Sequence, residues 1–132
     1  FLFVSSQTAA GPSRGADDFV DESRPPQPIT WYGRSKWEAE QALLSMSGEL
    51  PLTIVRSVAV YGPRDRDFFT YFDLVNRHLQ LKLGRNERKV TLIYIRDLID
   101  LILLPAPDEA EKSVDLFEIW GEEIVFNDVL VQ

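Results

Sequence analysis

The chain opens on an unbroken apolar run, Phe1–Ser5. A run without alternation predicts a strand covered on both faces of a parallel sheet. Ser5 and Ser6 then stand at its carboxyl end, where open α/β sheets place their ligands. From Gly11 to Ile29 the apolar pattern stops, and Pro12, Pro25, Pro26 and Pro28 predict a long irregular loop. A loop of that length in a compact domain is usually functional or a lid. Trp31, Ala39, Leu43 and Leu44 recur at helical spacing. They predict a helix from about Trp31 to Met46, with Thr30 as N-cap and Ser47-Gly48 at its end. Glu38 and Glu40 read as its solvated face. Leu50 to Val60 is nearly continuous and rich in β-branched residues, which predicts a single strand. Arg56 interrupts it; a buried arginine needs a partner, and a loop carboxylate at the strand's end would serve.

The second half repeats the alternation of periods. Val60 to Asp65 carries Gly62-Pro63 and reads as a turn. Phe68, Phe69, Phe72, Val75 and Leu79 predict a helix over 68–81 that packs into a core, with a substrate-cleft wall as the alternative. A polar turn over Gly84–Lys89 follows, then a short strand Thr91–Ile95. Asp97–Leu104 reads as a helix with the aspartate as its cap, stopped by Pro105 and Pro107. Val114–Ile119 is the last expected strand. Strands alternating with helices indicate an α/β fold, and no internal repeat is present.

Composition narrows the class. Hydrophobic residues at 45% place the chain among globular proteins. A net charge of −7 argues against a broad surface for nucleic acid. With no cysteine, neither a disulfide framework nor a thiolate metal site can form, and no metal is expected. The single histidine, His78, follows Asn76-Arg77 and reads as a solvated helix position. The most apolar stretch, Leu92–Leu104, is broken by Arg96, Asp97 and Asp100, so no membrane span is expected. Residues 1–6 lack the basic start of a signal peptide, and a soluble cytoplasmic protein is the expectation. Phe1 begins inside an apolar run and Val129–Gln132 ends inside a helical pattern, which suggests a piece of a longer parent.

The candidate chemistry lies in Tyr32-Gly33-Arg34-Ser35-Lys36. One helical turn separates Tyr32 from Lys36, so both side chains share a face. An ammonium that close favours the phenolate, and such a tyrosine can exchange a proton with a substrate hydroxyl or carbonyl. Taken alone, the spacing favours a half-buried tyrosine beside a solvated lysine. Its neighbours decide. Phe1–Ser6 ends in two hydroxyls; Asp21-Glu22-Ser23-Arg24-Pro25-Pro26-Gln27-Pro28 follows; Glu38-Ala39-Glu40 continues the helix; Val60-Tyr61-Gly62-Pro63-Arg64-Asp65 closes the series. In this order the motifs resemble the extended short-chain dehydrogenase/reductases, the NAD-dependent epimerase/dehydratase family.

The resemblance implies the C-terminal half of a Rossmann-type parallel sheet with part of a smaller substrate-binding region. Residues 1–62 would form the second half of the NAD(P)-binding domain and 63–132 the substrate region. It implies an NAD- or NADP-dependent oxidoreductase, epimerase or dehydratase acting by hydride transfer on a small-molecule hydroxyl or carbonyl carbon. Tyr32 would exchange the proton. Lys36 would favour its phenolate and hold the nicotinamide ribose. Ser6, five residues before Gly11, would orient the substrate oxygen in preference to Ser5. The backbone at Ser57 and Val58 would face the nicotinamide. The acidic pair Asp21-Glu22 is either solvated or fixes the loop beside the site. A homodimer of the parent stays open. Two rival readings are a cofactor-binding scaffold without turnover and an inactive truncated fragment.

The chain also departs from the family's pattern. Ala9-Ala10 stand where a tyrosine often precedes the glycine, Ser57 where proline follows the arginine, Ala59 where nucleotide-sugar members carry asparagine, and Val90 where they carry a diphosphate-binding arginine. The last two point to a substrate without a diphosphate, such as a sterol-like, flavonoid-like or simple hydroxy compound. The glycine-rich turn that holds the cofactor pyrophosphate does not occur in these 132 residues. Residues 1–132 alone are therefore expected to be poorly soluble and to bind NAD weakly.

Overall fold

The computed structural model describes residues 1–15, 18, 20–46, 48, 51–79, 89–103, 114–119 and 122–125. Their elements, in chain order, are β1 (Leu2–Ser6), α1 (Gln7–Ala10), α2 (Trp31–Leu44), β2 (Leu52–Ser57), β3 (Ala59–Tyr61), α3 (Asp67–Asn76), β4 (Lys89–Tyr94), α4 (Ile95–Ile102), β5 (Val114–Ile119) and β6 (Glu122–Val125). The chain forms two compact units. One comprises Phe1–Val58 and Leu103–Trp120, the other Ala59–Ile102 and Gly121–Gln132.

The first unit is built on a parallel sheet of order β1-β2-β5. Its register runs from Leu2 opposite Thr53 to Ser6 opposite Ser57, and from Leu52 opposite Val114 to Ser57 opposite Ile119. β2 is central, and Leu52, Ile54 and Val55 are buried along it. Burying those apolar side chains on both faces is what a β-branched run in a parallel strand achieves. β1 departs from expectation, because Leu2 and Val4 are exposed. It pairs with β2 along one side only among the described residues, and its covered residues are Ser5 and, in part, Phe3 and Ser6.

The predicted single strand over Leu50–Val60 is two strands. β2 ends at Ser57, Val58 is buried between them, and β3 joins a different sheet. Hydrophobic continuity cannot report a change of sheet, since both strands bury apolar residues. The sheet of the second unit has order β3-β4-β6, with β3 and β4 parallel and β4 and β6 antiparallel. Leu92, Ile93 and Leu98 are its buried apolar residues. The Tyr61 ring lies 5.5 Å from that of Tyr94 and 6.1 Å from that of Phe72. A Cβ on Gly62 would come within 2.4 Å of Ile95 Cγ2, so only glycine lets this turn close onto the start of α4.

Two helices of this unit correct the sequence reading. No residue of α3 is buried; Phe69, Phe72 and Val75 on the helix, and Leu79 just beyond it, are all exposed, against the expected core packing. Helical apolar spacing reports a face and not what covers it. α4 begins at Ile95, directly after β4, so Asp97 sits in its first turn, where a carboxylate suits the helix dipole, and not at the cap. His78 is exposed, as expected, and has a left-handed backbone (φ 59°) beyond the end of α3. The expected features at 47, 50, 80–88, 105, 107 and 129–132 lie outside the described residues.

Candidate active site

All five predicted site residues belong to the first unit. Ser6 ends β1 and caps α1: its Oγ accepts hydrogen bonds from the Thr8 backbone N–H (3.3 Å) and from Thr8 Oγ1 (3.0 Å). Gly11 closes that turn with φ +98°, and a Cβ there would stand 2.3 Å from the Gln27 carbonyl oxygen. Gln27 N–H donates to the Ala10 carbonyl at 2.8 Å, which folds the proline-rich loop back against α1. The same loop is tied within itself by Arg24 and Asp18 at 2.9 Å.

Thr30 caps α2 as its sequence predicted, its Oγ1 accepting from Gly33 N–H at 2.9 Å. Gly33 has a further role. A Cβ at this position would lie 2.3 Å from the Thr8 carbonyl oxygen, so the first turn of α2 rests directly on the backbone of α1. The glycine of Tyr32-Gly33 thus brings the helix carrying Tyr32 against the turn carrying Ser6. Tyr32 is 56% exposed. Lys36 Nζ donates to the Val4 carbonyl of β1 at 3.1 Å and lies 5.9 Å from the centre of the Tyr32 ring. Ser57 is the register partner of Ser6 on the neighbouring strand, and Ser57 and Val58 are buried. The structure therefore pairs Tyr32 with Lys36 and Ser6 with Ser57, while the Ser6 hydroxyl is engaged by Thr8.

Sequence reasoning missed the most buried polar group beside these residues. Glu40, read as solvated face, is 1% exposed. Arg56 Nε and Nη2 donate to its two oxygens at 3.0 and 2.6 Å, and the Ser5 hydroxyl donates to Oε1 at 2.5 Å. Arg56 Nη1 reaches Glu118 of β5 at 3.1 Å. Its partners come from a helix and a strand, correcting the expected loop carboxylate. The reason is spacing: Glu40 lies four residues beyond Lys36 and eight beyond Tyr32, on the same side of α2. That periodicity was the available signal, together with an arginine whose charge had to be answered. Trp31, one of the apolar positions at helical spacing, is 85% exposed. Glu22 is not merely solvated, since its Oε1 accepts from the backbone N–H of Glu118 at 2.9 Å and holds the loop to β5.

Charge in this cluster is unbalanced, with two carboxylates facing one guanidinium. Burial pushes the Glu118 carboxyl above its ordinary value, and the hydrogen bond and attraction of Arg56 only partly oppose this. Burial also works against the charge on Arg56, but its hydrogen bonds to Glu40 and Glu118 outweigh that and hold it above the usual arginine value. In the loop, the backbone N–H of Arg14 and the Arg24 side chain hold Asp18 below the ordinary carboxylate value, and the hydroxyl and N–H of Ser23 do so for Asp21.

These directions set a pH dependence. A raised carboxyl binds its proton more tightly in the folded state, so its contribution to stability grows as pH falls through the folded value and is complete below 4.5. The lowered pair acts oppositely: its contribution is present above 3.8 and is lost as pH falls further. Stability should therefore rise on mild acidification before it falls. Urea unfolding of the full-length protein between about pH 3 and about pH 8 should show that rise, and Glu118→Gln should flatten it while leaving the acid loss. A rise of equal size in the variant would remove Glu118 as its source.

Comparison with known proteins agrees with the motifs. Residues 1–119 match the model of the NAD dependent epimerase/dehydratase family. The chain belongs to this family. One family relative is a UDP-glucose epimerase of Bacillus subtilis, uncharacterized, 30% identical over 105 residues, which cover 75% of this chain and 32% of the relative. Another is a UDP-glucose 4-epimerase of Vibrio cholerae, 30% identical over 109 residues, covering 78% and 33%. Among solved structures, the UDP-glucuronic acid 4-epimerase of Bacillus cereus in complex with NAD superposes with a TM-score of 0.75 at 25% identity, over 95% of this chain and 42% of that one. The chain thus spans about a third of the length of the curated relatives it matches. The α/β fold with a Rossmann-type parallel sheet, expected from the resemblance, is the fold observed. No helix among the described residues is long and apolar enough to cross a membrane.

Proposed function

We propose that the protein containing this chain is an NAD(P)-dependent enzyme of the epimerase/dehydratase type, located in the cytoplasm, acting at a carbinol or carbonyl carbon of a small molecule. The observation that carries this reading is the placement of Tyr32 and Lys36 on α2, with Lys36 Nζ held on the Val4 carbonyl of the strand that ends in Ser6. Residues 1–62 supply the catalytic and nicotinamide-side groups and share their sheet with β5, and the rest of 63–132 belongs to the substrate region.

The donor set suits one end of a dinucleotide. Lys36 has three N–H donors and uses one on Val4, which leaves two for ribose hydroxyls. Tyr32 is exposed enough to share them. The backbone at Ser57 and Val58 lines the same strand ends. The glycine-rich turn for the pyrophosphate is not in this chain, so these residues fit the nicotinamide end alone. When bound, the nicotinamide supplies the acceptor and donor of hydride. Tyr32 Oη takes the proton of the substrate hydroxyl and returns it to the carbonyl oxygen. Ser6 Oγ donates to that oxygen and fixes its direction. Lys36 keeps a positive charge beside the phenol.

The relatives are named for UDP-sugars, and a UDP-sugar is the substrate class they support here. A second reading, a substrate without a diphosphate, is favoured by Ala59 and Val90, both exposed and neither able to hold a phosphate through its side chain. Calorimetric titration of UDP into the full-length protein separates the two: micromolar binding supports the nucleotide sugar, and no binding supports the other. Proton NMR of UDP-glucose incubated with the protein and NAD tests the activity itself. Absence of turnover on UDP-sugars and on simple secondary alcohols alike would leave a non-catalytic scaffold.

A further inference from the structure

Ser5, Glu40 and Arg56 take no part in the proton transfer described above, yet they connect the three elements that carry it. β1 ends in Ser6, α2 bears Tyr32 and Lys36, and β2 ends in Ser57. Among the described residues two side-chain hydrogen bonds join α2 to β1, and they are consecutive along both elements. Lys36 Nζ donates to the Val4 carbonyl, and one residue further along β1 the Ser5 hydroxyl donates to Glu40, one turn further along α2. Only the second link is buried. Glu40 cannot swing to follow Ser5, because Arg56 grips both of its oxygens in a planar fork from β2. Arg56 is itself held on its other side by Glu118 of β5. The orientation of the Glu40 carboxylate is therefore set by the sheet, and Ser5 is read against it.

We propose that Ser5 and Glu40 are positioning residues: their buried hydrogen bond, stiffened by Arg56, sets the height of α2 on β1 and thereby places Lys36 and Tyr32 over the end of the strand that bears Ser6. This rests on the catalytic reading of Tyr32, Lys36 and Ser6. Ser5 thus acts through the helix, whereas its neighbour Ser6 acts on the substrate. The pair also accounts for a polar cluster at a place where apolar packing would hold a helix to a sheet as firmly. Apolar contacts tolerate sliding; a bidentate ion pair with a third hydrogen bond admits one geometry.

The test uses the full-length protein and separates this role from simple stabilisation. Ser5→Ala removes one hydroxyl and leaves the Arg56–Glu40 pair in place, so its melting temperature should fall by only a few degrees. A displacement of about 1 Å at a reacting centre costs up to about 100-fold in rate. Turnover of Ser5→Ala should accordingly drop at least about tenfold with little change in KM. A second measurement needs neither cofactor nor turnover. Reductive methylation of Lys36, followed by mass spectrometry, should be several-fold faster in Ser5→Ala than in wild type, while the other lysines react as before. Both changes are required; unchanged Lys36 reactivity, or turnover lost only in proportion to unfolded protein, overturns the proposal. Tyr32→Phe, measured in parallel, reports on the catalytic reading itself. If that variant stays active the catalytic reading fails, whereas an inactive Tyr32→Phe beside a fully active Ser5→Ala with unchanged Lys36 reactivity sinks only the positioning role.

Discussion

Arg56→Met should destabilise the full-length protein by about 3–5 kcal/mol, the usual cost of removing one partner from a buried ion pair. Methionine fills much of the volume but leaves the Glu40 and Glu118 side chains, each 1% exposed, without their cation. The Ser5 hydroxyl still donates to Glu40, and one neutral donor cannot balance two buried negative charges. Calorimetry should show a fall in melting temperature of roughly 10 °C. The loss should shrink on acidification, because carboxylates buried without a partner hold protons more tightly in the folded state and cost less once neutral. A combined replacement, Arg56→Met with Glu40→Leu and Glu118→Gln, should recover much of the loss, since the pair's net worth over apolar packing is small. A melt for Arg56→Met within about 2 °C of wild type at neutral pH would show that water reaches the cluster and that the ion pair is not what holds α2 to the sheet.

The same cluster shows where the sequence is readable and where it is not. The Thr30 cap and the placement of Tyr32 beside Lys36 are legible because they depend on spacing within one helix. The end of β1 is legible because Phe1–Ser6 is an apolar run closed by two hydroxyls. Glu40 was misread because its burial depends on a residue sixteen positions later on another element. Propensity treats a helical glutamate as solvated; only the unanswered charge of Arg56 argued otherwise. The break at Val58 was hidden for a different reason. β2 and β3 are both apolar, and the change of sheet is a matter of pairing, which the residues at the break do not encode. β6 was not foreseen, because Glu122-Glu123 at its start does not look like a strand, and its place is set by pairing with β4. Phe69, Phe72 and Val75 of α3 show the converse limit, as a clear apolar face that the described residues leave exposed.

Tyr32→Phe should lower turnover of the full-length protein by two orders of magnitude or more, the range for loss of a positioned acid/base group. The substitution deletes one oxygen and keeps the ring. Tyr32 is 56% exposed and its ring lies 5.9 Å from Lys36 Nζ, so a phenylalanine ring can occupy the same place beside the ammonium. The fold should scarcely notice, since exposed substitutions away from caps and ion pairs usually change stability by less than about 0.5 kcal/mol. The Thr30 cap, the contact of Gly33 with Thr8 and the Lys36–Val4 bond are all made by other atoms. Lys36 keeps its own donors for the ribose, so affinity for NAD should change far less than turnover, measured by calorimetry beside the kinetics. A large fall in kcat at constant cofactor affinity is the mark of a group whose interaction is made in the transition state. Equal losses in turnover and NAD binding would make Tyr32 a cofactor contact only. Near-wild-type turnover would remove it from the chemistry and leave Ser6 and Lys36 to be tested as the proton's route.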